Sequence, residues 1–182
     1  MLAAIIYEFG FRIDDFMVAI ADALQAEGIR TRGVVQHNFG SASCPQMALV
    51  DLATGRRFAI SQNLGPQARG CRLDTDGLSI VSALFDATIR EDFDLLILNK
   101  FGKAEAEGGG LRNAFAGAMD AGIPVLTAVR PPYVEAWSKF HGGLAVDLEP
   151  RAAAVLGWCR TIIGKRRDAD GLTAHPAPAE SA

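Results

Sequence analysis

The sequence predicts an α/β domain built on a mostly parallel central sheet, with an antiparallel hairpin inserted into it. Three observations carry this expectation. Short apolar runs recur at residues 2–7 and 95–98, and a further buried-strand pattern at 124–129, as expected of strands buried on both faces. Segments with apolar residues at helical spacing stand between these runs. One further stretch, 46–62, consists of two strand-like runs around a tight turn. Strands alternating with helices in this way build a sheet with helices packed on its faces.

Taken in order, residues 2–7 read as a central parallel strand. The turn EFGFR follows, then a helix that Asp14 is placed to cap, with Phe16, Ala19, Ile20, Ala23 and Leu24 on one face and Gly28 at its end. Residues 32–36 form a second strand, so 1–36 make a βαβ unit with a right-handed crossover. A polar loop, HNFGSASCPQ, leads to the hairpin, whose strands 46–52 and 56–62 are joined by Ala53, Thr54 and Gly55. After the loop NLGPQARGCRLD, Asp74 or Thr75 caps a helix to about residue 90, with Leu78, Val81, Leu84 and Phe85 inward. The strand at 95–98 turns abruptly polar at Asn99 and Lys100 and gives way to a loop rich in charge and glycine. A helix over 111–121, closed by Gly122, leads to the strand at 124–129, which ends in Arg130, Pro131 and Pro132. A short helix over 134–140, a strand near 144–146 and a terminal helix opened by Pro150 complete the domain. Residues 1–164 are expected to form this one domain, and 165–182, basic and then rich in Ala, Pro and Asp, a disordered tail.

Composition narrows the function classes. With 182 residues, 49 % hydrophobic and 21 % charged, the chain can bury a substantial core. A net charge of −3 argues against nucleic-acid binding through a broad basic surface. No apolar run approaches the roughly 20 residues that span a bilayer, so no membrane insertion is expected. Three cysteines, Cys44, Cys71 and Cys159, do not suggest a disulfide framework, and the cytoplasm is the expected compartment.

Ligands of open α/β sheets bind beyond the carboxyl ends of the strands, and two such ends hold polar candidates. The first is the turn after strand one, residues 7–14, in the strand–turn–helix context of a phosphate-binding P-loop, G-x-x-x-x-G-K-[ST]. Only Gly10 resembles common forms of that loop. Ile13 stands where the lysine belongs and Asp14 where the Ser/Thr belongs, while Arg12 could serve as a phosphate or oxyanion contact. The alternative is a plain βα turn with a capping Asp. The second is the loop NKFGKAEAEGGGLR, where Asn99 takes the place of the acidic residue that holds magnesium in P-loop enzymes. There Lys100, Lys103 and Arg112 could hold an anion, Glu105 and Glu107 could hold a metal or position water, and the three glycines would let backbone N–H groups approach a ligand. A solvated loop of mixed charge is the competing reading. A third set joins Cys44 to Cys71 with its flanking Arg69 and Arg72. These arginines would attract anions and lower a thiol pKa, and His37 with the cysteines makes only a weak zinc pattern.

On the pieces RGVVQHN, DLATGRRFAISQNLG, RGCRLD, LLILNKFGKAEAEGGGLR and GIPVLTAV, the chain up to about residue 164 resembles a family of bacterial proteins of unknown function with a P-loop NTPase-like fold. The resemblance implies a three-layer P-loop NTPase-like architecture and a setting in molybdate uptake or molybdenum metabolism. More distantly the layout is similar to the small nucleoside-triphosphatases, which have a hairpin with a TG turn and a strand ending in an acidic D-E-x-G block. Gly102 fits that block's glycine, whereas Asn99, Lys100 and Ile13 depart from the charged positions a magnesium–nucleotide site needs. The leading expectation is therefore a binding protein for a small anionic ligand, with molybdate or a nucleotide with Mg as the candidates. Gly10, Arg12, Lys100, Lys103 and Arg112 would be its contacts. The alternatives are a nucleotide-dependent hydrolase or phosphotransferase using Glu105, and a homo-oligomer that pairs through the hairpin edge.

Overall fold

The computed structural model describes residues 1–41, 44–61, 81, 92–169 and 171. Its sheet has seven strands: β1 (Leu2–Ile6), β2 (Thr31–Ser41), β3 (Cys44–Asp51), β4 (Arg57–Ala59), β5 (Leu95–Leu98), β6 (Val125–Val129) and β7 (Ala145–Leu148). They lie in the order β4-β3-β2-β5-β6-β1-β7. The pairs β2–β5, β5–β6, β6–β1 and β1–β7 are parallel, and β2–β3 and β3–β4 are antiparallel. The helices are α1 (Ile13–Ala26), α2 (Lys103–Ala106), α3 (Arg112–Asp120), α4 (Pro131–His141) and α5 (Ala152–Ala169). The helix expected after Asp74, with the cysteine–arginine set at 69–74, lies outside the described residues apart from Val81.

Alternation along the strands divides the core into two layers. Leu2, Ala4, Leu96, Leu98, Val125 and Val129 face α3 and α4, packing with Phe101, Phe115 and Trp137. Ala3, Ile5, Leu95, Ile97, Leu126 and Ala128 face the other way, against Ile13, Met17, Ile20 and Leu24 of α1 and Val155, Cys159 and Ile163 of α5. The result is the three-layer, mostly parallel arrangement of a P-loop NTPase-like fold. Strands buried on both faces have no polar side to show, which is why β1 and β5 read as unbroken apolar runs and β6 departs only at Thr127, whose hydroxyl donates to the Leu98 carbonyl.

Two expectations about the antiparallel part need correction. Residues 37–41, expected as loop, continue β2 and pair with β3 from His37↔Ala48 to Ser41↔Cys44. The polar run is strand because its backbone groups are satisfied across a two-stranded ribbon that needs no buried face. The second hairpin strand is also short, three residues rather than the seven of 56–62. Within β2, Gly33 (φ +114°) permits an approach that no other residue could make, since a Cβ there would stand 1.9 Å from the Ile97 carbonyl oxygen of β5.

The terminal helix also continues past residue 164 to Ala169. Arg166 donates to the Phe93 carbonyl at 2.8 Å, and Arg167 reaches the buried Asp94 carboxylate at 2.9 Å. The basic run that looked like a tail thus has partners at the entrance to β5. Arg30 shares Asp94 through its backbone N–H at 2.9 Å and its guanidinium, which also pairs with Asp92.

Candidate functional site

The turn from β1 to α1 opens beside the carboxyl ends of β5 and β6, and a cleft of about 360 Å3 lies there. Tyr7, Gly10, Phe11, Arg12, Asp14, Lys100 and Arg130 are among its lining residues. Gly10 turns the chain at φ +91°. Phe11 packs against Tyr7 and edge-on against Phe16, with ring centroids 6.5 and 5.5 Å away, which anchors the turn from below. Phe9 projects from it into solvent, 92 % exposed.

Asp14 is not the cap of α1. That position belongs to Arg12, and Asp14 lies in the first turn with Asp15, where acidic residues complement the helix dipole. Its carboxylate crosses to two strands. Oδ1 accepts from Asn99 Nδ2 at 3.0 Å and Lys100 Nζ at 2.9 Å, and Oδ2 accepts from Asn38 Nδ2 at 2.7 Å and Gln36 Nε2 at 3.3 Å. Gln36 and Asn38, two residues apart on β2, also bond each other at 2.8 Å. The Asp14 side chain is only 14 % exposed and that of Lys100 28 %. The Asn99–Lys100 peptide is cis. Asn99 is buried, and its Oδ1 has no partner among the described residues. Turning the amide over would not cure this, because it would set the oxygen against the Asp14 carboxylate.

The cleft's charges are unevenly matched. Asp14 is held by Lys100, and Asp15 by Arg12 at 2.6 Å. Arg130, at the end of β6, lies over the Tyr133 ring with 5.5 Å to its centroid, and the described residues include no carboxylate bonded to it. Burial pushes the Tyr7 hydroxyl up to about 12 although Arg130 opposes the shift, so Tyr7 is a neutral wall of the cleft. Arg130 was missed in the sequence. Its signal resembles that of Lys100, a cation at the carboxyl end of a buried strand.

The loop after β5 contributes differently from expectation. Glu105 is buried, and its carboxylate accepts from the Gly102 N–H and the Leu111 N–H, both at 2.9 Å. Burial raises its pKa and the two N–H groups pull against that rise. The glycines serve this same closure. Gly110 has φ +62°, and a Cβ on it would lie 2.1 Å from Glu105 Oε1. Backbone N–H groups do approach a carboxylate here, but it is the protein's own. Glu105 also lines a small cavity of about 90 Å3 with Gln36, Asn99 and Lys100. Lys103 and Arg112 are not among the residues lining the cleft: Lys103 is 3.8 Å from Glu107, and Arg112 donates to the Glu105 carbonyl at 3.1 Å and stacks on Phe140. Arg69 and Arg72 lie outside the described residues.

P-loop enzymes hold magnesium through the loop Ser/Thr and an acidic residue at a strand end. The residues at those places here do not suit a cation. A carboxylate accepts about four hydrogen bonds, and Asp14 already receives donors from Gln36, Asn38, Asn99 and Lys100. One of those donors is itself an ammonium. Among the described residues no group of three or more His, Cys, Asp or Glu side chains could hold a metal ion.

Residues 2–158 match the family model described as "Protein of unknown function (DUF2478)". The chain belongs to that family. It is also 40 % identical over 180 residues to "Molybdenum import ATP-binding protein ModC 2" of Bradyrhizobium diazoefficiens. That alignment takes in 96 % of this chain but 20 % of the relative, so this member of the family spans about a fifth of that protein's length. Among the described residues no helix is long and apolar enough to cross a membrane.

Proposed function

We propose that this domain is a binding protein with a degenerate P-loop, holding a nucleotide or a tetrahedral oxyanion such as molybdate, in molybdenum handling or its regulation. The observation that carries the reading is the cleft at the β1–α1 turn. Arg12, Lys100 and Arg130 line it, its two aspartates are both already paired, and Arg130 has no bonded carboxylate among the described residues. An anion entering there meets a surplus of positive charge, and an Arg fork suits its oxygens. The volume is within the range of small-molecule sites, which run from about 300 Å3 upward. The molybdenum setting comes from the named relative. Because the match leaves most of that relative uncovered, its ATP binding could reside elsewhere in its chain, with this domain as a companion module. For a hydrolase, Glu105 is buried and one lone pair of each of its oxygens is taken by a backbone N–H, so it could orient water only with the remaining lone pairs, in the small cavity it shares with Asn99 and Lys100.

Calorimetric titration with molybdate, with sulfate as control, and with ATP tests the reading. Binding of molybdate or ATP in preference to sulfate is expected, and Arg130→Ala should weaken it by about tenfold or more, the worth of one charge-assisted contact. Equal, negligible heats for all three anions would overturn it.

A further inference from the structure

In a P-loop site the divalent ion supplies positive charge beside the phosphates, held between the loop and a strand end. In this protein the loop position carries Asp14 on α1 and the strand-end position Asn99, and the residue after it, Lys100, sets its ammonium 2.9 Å from the Asp14 carboxylate. We propose that the Lys100 ammonium replaces the divalent ion, so that the site takes its tetrahedral anion, whether a phosphoryl group or a free oxyanion, without magnesium. Asp14 is then a built-in counter-ion that the arriving anion displaces from Lys100. The inference rests on the anion-binding reading above and specifies how that site is charged.

Three features support it. Lys100 lines the cleft, and among the described residues only Asp14 engages its ammonium, through one of three N–H donors, which leaves two for a ligand. The Asp14 carboxylate keeps its amide donors from Gln36, Asn38 and Asn99 when Lys100 turns away, so it is never left buried and unbonded. A divalent ion brought to the same place would meet the ammonium's like charge and a carboxylate with no acceptor capacity left. The pair is thus neutral at rest and ready to exchange one anionic partner for another.

The test is titration of wild-type protein, Lys100→Met and Asp14→Asn with ATP and with molybdate, each in excess EDTA and in millimolar magnesium. The expectation is wild-type affinity for ATP or molybdate that magnesium leaves unchanged within about twofold. It should fall by about tenfold or more in Lys100→Met. In Asp14→Asn it should rise, because the competing carboxylate is gone; the new amide oxygen still accepts from Asn99, and its NH2 donates to Asn38 and Gln36 once those two amides turn over. Asp14→Asn keeps the shape of the network, so it decides the matter even if Lys100→Met folds poorly. A gain of about tenfold on adding magnesium, or weaker binding by Asp14→Asn, overturns the inference and leaves the anion-binding reading standing. No binding of either anion in either buffer overturns both.

Discussion

Asp94 is the group whose removal can be worked through most fully. It is 4 % exposed and stands just before β5, where Arg30 and Arg167 converge on it. Burial works to raise its pKa, but the bonds from Arg30, Arg167 and the Arg30 backbone N–H outweigh that and hold it at about 2, against an ordinary value of 3.8. A depressed pKa means stability that is fully present above the unfolded-state value and is lost as pH falls through the folded-state value. At about 1.4 kcal/mol for each pH unit between the two, the carboxylate contributes about 2 kcal/mol at pH 7 and about half of that at pH 3. Breaking a buried pair can cost about 3–5 kcal/mol when a charge is stranded, but Arg30 and Arg167 are about half exposed and can rehydrate. The smaller figure should therefore hold. Asp94→Asn preserves the shape, and urea unfolding, which does not screen charges, measures the gap from wild type. A gap of the same size at pH 7 and pH 3 would show that ionisation is not its source. A gap under about 0.5 kcal/mol at pH 7, the level of an ordinary surface change, would refute the stabilising role altogether.

Two further substitutions probe the backbone around the site. Gly33→Ala would drive a Cβ to 1.9 Å from the Ile97 oxygen at a φ of +114°. It should cost about 3 kcal/mol or more, the upper end of backbone-strain penalties, and a loss below about 1 kcal/mol by urea unfolding would refute the close β2–β5 approach. Gly110→Ala should cost about 2–4 kcal/mol, from a left-handed alanine and a Glu105 carboxylate pushed off the Leu111 N–H. In a Glu105→Ala background the same change should cost less, and full additivity in that double-mutant cycle would contradict the contact.

Much of the fold could be read from the sequence because its central strands are buried on both sides. The runs LAAII, LLIL and VLTAV have little other interpretation, and the helices between them show an apolar stripe. The ribbon of β2 and β3 was hidden, since HNFGS carries no burial pattern and becomes strand only through a partner across the hairpin. The site was half legible. Gly10, Arg12, Asp14 and Lys100 were picked out from strand ends and do line one cleft. That Asp14 and Lys100 form a pair could not be seen, because 86 residues separate them and local spacing says nothing about such contacts. Glu105 was selected as a free acid near glycines, and those same glycines are what let the chain wrap around it.

The arginines of α5 also bear on how this domain could be excised as a portable unit. The family match ends at residue 158. A fragment stopped there would discard Cys159 and Ile163 from the inner layer, the Arg160–Glu27 pair, and both guanidinium contacts at Phe93 and Asp94. The packing described continues along α5, which runs to Ala169, nearly two turns beyond Ile163, its last buried apolar residue. A graft or expression boundary set by sequence similarity alone would cut through the seam that closes the sheet.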